Sequence, residues 1–128
     1  MSDKSRLYEI RIHSIIPEAL NMTKQDFDLV GKSKPGLDVA PRNRPEILDK
    51  FPFGVECKRQ NKLNIWDAMR QTKRNIENDR RELIPIIATQ CRNLNLMILE
   101  EQIFLAMVRV LNENCPGWKD QIIPEKEE

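Results

Sequence analysis

Two periods of hydrophobic and polar positions run along this chain, and the places where one gives way to the other mark its elements. Between Ser5 and Leu20, Tyr8, Ile10 and Ile12 alternate as in a strand, whereas Leu7, Ile10, Ile15 and Ala19 suit a helix; the helix is the preferred reading. Gly31-Lys32-Ser33-Lys34-Pro35-Gly36 is turn chemistry, and Leu37-Asp38-Val39-Ala40 after it predicts a short extended segment. Pro41, Pro45 and Pro52 exclude a continuous helix over the next connection, apart from one turn within 45–50, and the connection is expected to close a hairpin. Phe53 to Lys58 reads as the second strand, with Gly54 allowing a bulge or a close approach of backbone.

A well-marked helix follows the polar turn from Arg59 to Lys62. Asn64 is its N-cap, Asp67 stands three residues on, and Leu63 against Ala68 makes a hydrophobic staple. Ile65, Met69, Thr72 and Ile76 continue at helical spacing, Trp66 is expected to pack on the sheet, and the charged run through Arg81 reads as solvent face and exit. Leu83 to Ala88 is the apolar run of a buried strand with Pro85 at its start. Gln90-Cys91-Arg92-Asn93 interrupts it, Leu94 to Leu99 resumes as a strand, and Glu100-Glu101 open a last helix with Ile103, Phe104, Met107, Val108 and Leu111 as its apolar face. The predicted order α-β-β-β-α-β-β-α describes an α/β layer structure, a mixed sheet flanked by helices, in one domain over 1–112 with a loose tail over 113–128.

Composition narrows the function classes. With 128 residues, 40% hydrophobic and 32% charged, the chain supports a single modest core. No apolar stretch approaches a membrane span, and the start, Met-Ser-Asp-Lys-Ser-Arg, has no secretory apolar region, so a cytosolic location is expected. Three cysteines, Cys57, Cys91 and Cys115, form no Cys-x-x-Cys pair and are odd in number, against both a zinc site and a disulfide framework. His13 is the only histidine, which leaves almost no material for Cys/His or Ser/His catalysis.

Charge distribution points to one region. The net charge is +1, yet Glu56 to Arg92 holds nine Lys/Arg against five Asp/Glu, net +4, while Glu100 to Glu128 holds three against seven, net −4. Within the basic region lies Glu56-Cys57-Lys58. Strand alternation puts Glu56 and Lys58 on one side and Val55 and Cys57 on the other, and Asp38 on the neighbouring extended segment completes a cluster. Two carboxylates supply the hard oxygen ligands that a divalent ion needs, and a lysine beside them can position a water or neutralise phosphate charge. That chemistry is phosphodiester hydrolysis. A Glu-x-Lys triplet arises by chance in about one chain in three of this length, so its surroundings decide. Arg59 and Lys62, with Arg70, Lys73 and Arg74 on the following helix and Arg92 beyond it, are candidates to contact a DNA backbone. The ordinary alternative for the helix charges is solvation and local pairing, as between Asp67 and Arg70.

Pro35-Gly36-Leu37-Asp38, Phe53-Gly54-Val55-Glu56-Cys57-Lys58, Leu63-Asn64-Ile65-Trp66-Asp67-Ala68 with Gln71, and the strand carrying Arg92-Asn93 together resemble the PD-(D/E)XK nuclease superfamily, the restriction-endonuclease-like fold. The likeness is to its small phage-type and Holliday-junction-resolvase-like members and spans about two thirds of the chain. Proline stands three residues before Asp38 rather than beside it, and the connection from Asp38 to Glu56 is long and proline-rich. The resemblance implies a catalytic set of Asp38, Glu56 and Lys58 with Gln71, and magnesium or manganese held by Asp38 and Glu56, with the Cys57 carbonyl and Glu9 of the first helix as additional ligands. It implies a metal-dependent DNA endonuclease acting on branched or four-way-junction DNA in the cytoplasm of a bacterial or phage-infected cell. A homodimer suits cleavage of two strands and would cover the last helix. The competing readings are a non-catalytic nucleic-acid-binding module of the same fold and a restriction- or repair-type nuclease on linear duplex.

Overall fold

The computed structural model describes residues 3–29, 36–59 and 62–124. The ambiguous first segment is helix α1, Asp3–Ala19. Its buried face is Tyr8, Ile12 and Ile16, spaced four apart, while Leu7 and Ile10 point to solvent. The apolar stripe expected through Leu7, Ile10, Ile15 and Ala19 is thus rotated around the helix. Most of the turn over 31–36 lies outside the described residues.

Five strands form one sheet in the order β1-β2-β3-β4-β5: β1 Phe27–Leu29, β2 Val39–Pro41, β3 Phe53–Lys58, β4 Ile84–Cys91 and β5 Leu94–Ile98. Every pairing is antiparallel except β3 with β4, so the sheet is mixed. A parallel pair needs a long crossover, and helix α3, Ile65–Glu77, provides it. Between β2 and β3 the proline-rich connection carries a single helical turn, α2, Pro45–Leu48, with proline at the position where its missing N–H costs nothing. This short helix adds to the expected order of elements.

The two faces of the sheet have different covers. Val39 and Val55, paired in register and fully buried, face α1 together with Phe27, and Phe27, Phe51 and Phe53 meet edge to face. On the opposite face Leu37, Ala40 and Leu83 pack with Leu48 and with Ile76 of α3. The strand expected to break at Gln90 continues through Cys91, and the turn to β5 is only Arg92-Asn93, with Arg92 in the left-handed region at φ 55°. Tertiary pairing with Leu94 and Asn95 holds Cys91 and Gln90 in the sheet despite their polarity.

Contacts divide the chain after Ile98. The C-terminal unit holds α4, Glu101–Asn114, and the stretch expected as loose tail contains a further turn of helix, α5, Lys119–Ile122, with Trp118 Nε1 donating to Asn112 Oδ1 at 2.7 Å. No residue of α4 is buried; of its expected apolar face Phe104 and Met107 are exposed, and Leu105 and Val110 are exposed too.

Arg81 departs most from its expected place at a solvent-exposed helix exit. Its Nε and Nη2 donate to the two carboxylate oxygens of Asp79 at 2.7 Å each, and its Nη1 donates to the Pro41 carbonyl at 2.8 Å and approaches Asp28 at 3.4 Å. One guanidinium therefore ties the α3–β4 connection to β1 and β2. The pairing lowers the Asp79 carboxyl below its ordinary range, chiefly through its hydrogen bonds with Arg81. Replacing Arg81 by Ala removes a bidentate pair and leaves Pro41 O without its donor. The expected loss is on the order of 2 kcal/mol in urea unfolding, whereas Arg80→Ala, at an exposed neighbour, should change stability little.

Candidate active site

Asp38 is fixed by the backbone on both sides of it. Its N–H donates to Val55 O at 3.0 Å, and its Oδ2 accepts the Cys57 N–H at 2.8 Å. The residue before it, Leu37, lies so close to β3 that a Cβ on Gly54 would stand 2.6 Å from Leu37 Cδ1. Glycine in mid-strand, which permits the close approach anticipated from the sequence, lets the 37–38 segment lie against β3. This brings Asp38 to Glu56.

Strand alternation does the rest. Glu56 and Lys58 project towards α3, with Lys58 Nζ 3.6 Å from Glu56 Oε1. Helix α3 meets them with two amides one turn apart: Gln71 Oε1 lies 3.4 Å from Lys58 Nζ, and Asn75 Nδ2 lies 3.5 Å from Glu56 Oε2. The helix is aimed by its cap, where Asn64 Oδ1 accepts the Asp67 N–H at 3.1 Å, and is seated by Ala68 and Thr72. Thr72 is buried without loss because its hydroxyl donates to the Ala68 carbonyl at 2.7 Å. A cavity of about 300 Å³ opens beside Lys58, lined also by Leu63, Asn64, Asp67, Gln71 and Arg74.

Two carboxylates and one ammonium in a partly dry site do not balance. Burial raises Glu56 to about 7; the Asp38 charge adds to this and Lys58 opposes it. Burial also raises Asp38, against the Cys57 N–H, the hydrogen bond from Glu56 and the charges of Lys58 and Arg6. The pair therefore retains a proton, shared between Asp38 and Glu56. Such a pair suits a divalent cation: magnesium is held by one or two carboxylates and keeps several waters. Among the described residues no group of three or more His, Cys, Asp or Glu side chains is placed to hold a metal together.

Glu9 and Cys57, the other expected ligands, lie on or near the α1 side, although the Cys57 backbone N–H reaches Asp38. Glu9 is buried, 3% exposed, with its carboxylate 3.1 Å from Arg6 Nη1. The Cys57 side chain projects to the face opposite Glu56, where burial, followed by the charges of Asp38, Glu9 and Glu56, pushes its thiol well above the ordinary range. A thiol so raised is mostly protonated and a weak nucleophile. Close by, burial pushes the Tyr8 hydroxyl up to about 12.

The expected DNA contacts fall in several places. Arg74 lines the cavity beside Lys58, and Arg70 is paired with Asp67 at 2.6 Å. Lys62 and Lys73 are exposed, the first beside Trp66. Arg59 leaves β3 on the other face and donates through Nε to Gln90 Oε1 at 3.1 Å, and Arg92 is exposed at the tip of the β4–β5 turn. Trp66, expected against the sheet, is 76% exposed, because the seated face of α3 is that of Ala68 and Thr72 and the first turn projects away from it. Sequence reasoning missed Asn75 and Arg6. Both were marked by spacing: Asn75 follows Gln71 by one turn, and Arg6 precedes Glu9 by three residues.

The raised Glu56 predicts how stability depends on pH. Its folded carboxyl keeps a proton up to about 7 that the unfolded chain releases near 4.5, so the folded state binds more protons in that window. The stability it contributes is complete below about pH 4.5 and is lost as pH rises through 7, by roughly 3 kcal/mol. Chemical denaturation of the metal-free protein should show this fall, and Glu56→Gln should flatten it. Comparison with protein-family models, with curated proteins and with solved structures returned no match for this chain.

Proposed function

We propose that this protein is a magnesium- or manganese-dependent endodeoxyribonuclease of restriction-endonuclease-like fold. The observation that carries this reading is the partly dry meeting of Asp38 and Glu56 with the Lys58 ammonium 3.6 Å from Glu56. Asp38 and Glu56 are the ligands of the metal, which when bound supplies Lewis-acid stabilisation of the phosphate and a water of lowered pKa. Lys58, oriented by Gln71, holds the attacking water or the phosphate oxygen at the mouth of the cavity. Asn75 orients Glu56, and the Cys57 N–H orients Asp38. Arg74 on the cavity wall takes a neighbouring phosphate.

A module that only binds nucleic acid gains nothing from holding two like charges together out of water, which favours the catalytic reading. Branched DNA as the substrate, with a homodimer to cut both strands, rests on the resemblance to resolvase-like nucleases. The C-terminal unit offers exposed apolar side chains, among them Phe104 and Leu105, for such a dimer.

The test is cleavage of a four-way junction, a flap and a linear duplex in magnesium, with preference for the junction expected. Asp38→Asn and Glu56→Gln should lower the rate by at least about 100-fold while DNA binding survives, since each removes charge from the metal site without a cavity. Asn at 38 keeps an oxygen for the Cys57 N–H, so the fold should persist. Lys58→Ala should lose cleavage to a similar degree but still bind manganese by titration calorimetry. Wild-type rates in either carboxylate variant would place the metal site elsewhere.

A further inference from the structure

On the face of the sheet away from Glu56 and Lys58, a groove of about 200 Å³ runs between the first turns of α1 and the ends of β3 and β4. Its lining includes three cations, Lys4 and Arg11 from one side of α1 and Arg59 from the exit of β3, over a floor containing Tyr8. Among the described residues no carboxylate lines it. This contrasts with α3, where Arg70 spends its charge on Asp67 at 2.6 Å.

Of the three cations, Arg59 is held by a chain of side-chain amides. Its Nε donates to Gln90 Oε1 at 3.1 Å, and Gln90 Nε2 in turn donates to Asn95 Oδ1 at 2.9 Å. Anchoring through Nε holds the guanidinium in place and leaves its outer nitrogens for the two oxygens of a phosphate. Arg59 also follows Lys58 directly, so strand alternation sends one cation into the cavity beside α3 and the next into this groove. The two side chains leave adjacent Cα atoms, about 3.8 Å apart, for opposite faces, so one strand passing the end of β3 can meet both at different phosphates.

We propose that this groove binds the phosphodiester backbone of the DNA strand on one side of the scissile phosphate, so that the substrate crosses the end of β3 from the α3 face to the α1 face. The assignment rests on the nuclease reading of Asp38, Glu56 and Lys58, and it joins Lys4 and Arg11 to Arg59, already a candidate DNA contact, as the residues that fix the path of the strand. Binding there is electrostatic and independent of sequence, and it releases counterions from each phosphate neutralised.

The test measures binding of a short fluorescein-labelled duplex, and of its single strand, as a function of salt in EDTA, for the wild type and for the combined variant Lys4→Ala, Arg11→Ala, Arg59→Gln. The slope of log affinity against log salt should flatten by about 0.9 per lost phosphate on duplex, or about 0.7 on single strand, so by two to three units in all for duplex. Arg59→Lys, which keeps the charge, should retain most of the wild-type slope, and Arg109→Gln in the C-terminal unit should leave it unchanged. Thermal unfolding of each variant checks that the fold survives. A combined variant that is folded yet keeps the wild-type slope overturns the groove while leaving the nuclease reading intact if the wild type cuts DNA. A flattened slope in a protein that cuts no DNA in magnesium sinks the nuclease reading and keeps the groove. A wild type that binds no DNA sinks both.

Discussion

Two carboxylates held together where water is scarce set the terms for the rest of this structure. Asp38 and Glu56 repel, and the surroundings offer one ammonium, itself held by the Gln71 amide oxygen, one donating side-chain amide and a backbone N–H against them. A fold chosen for stability alone would not place like charges there, because both groups move away from their ordinary pKa values by losing water. The strain is held by elements too well packed to yield: β3 lies between two neighbouring strands, and Val55 is fully buried on the face away from the carboxylates. The proposed divalent ion would relieve the same imbalance that a proton shared by the pair relieves in its absence.

Helices α1 and α3 of the N-terminal unit have separate parts in this. Helix α3 carries the amides, and its position follows from a capped first turn and a seat of small residues, Ala68 and Thr72, that let it lie close to the sheet. Helix α1 covers the opposite face with Tyr8, Ile12 and Ile16 and brings Arg6 near enough to Asp38 to oppose the rise in its pKa. Between them β3 presents alternate residues to alternate faces. A single strand thereby carries Glu56 and Lys58 on one face and the half-buried Cys57 thiol on the other.

Local chemistry was legible where the cause is local. The strand over Phe53–Lys58, the cap at Asn64, the helical turn beginning at Pro45 and the special place of Gly54 follow from alternation, side-chain capping, proline geometry and the missing Cβ, and each stands in the structure as the residues suggested. Readings that depended on a partner element went astray. Trp66 belongs to an amphipathic pattern, but the strand beneath α3 selected Ala68 and Thr72 as the seat and left the indole in solvent. Arg81 looks like surface charge until Asp79 and the Pro41 carbonyl, distant from it in sequence or hidden by a turn, close around it.

The sequence by itself determined the alternation that separates Glu56 and Lys58 from Cys57, because side-chain direction on a strand is a property of the backbone. It also determined the helix that follows and the charge gathered around it. Only the tertiary structure decided that Asp38 meets Glu56, that Asn75 reaches its second oxygen, and that Glu9 pairs with Arg6 rather than joining a cluster of three carboxylates. Those contacts join residues that are remote along the chain or set by the rotation of a helix about its axis. Packing fixes that rotation, and periodicity alone leaves it open by the width of a residue or more.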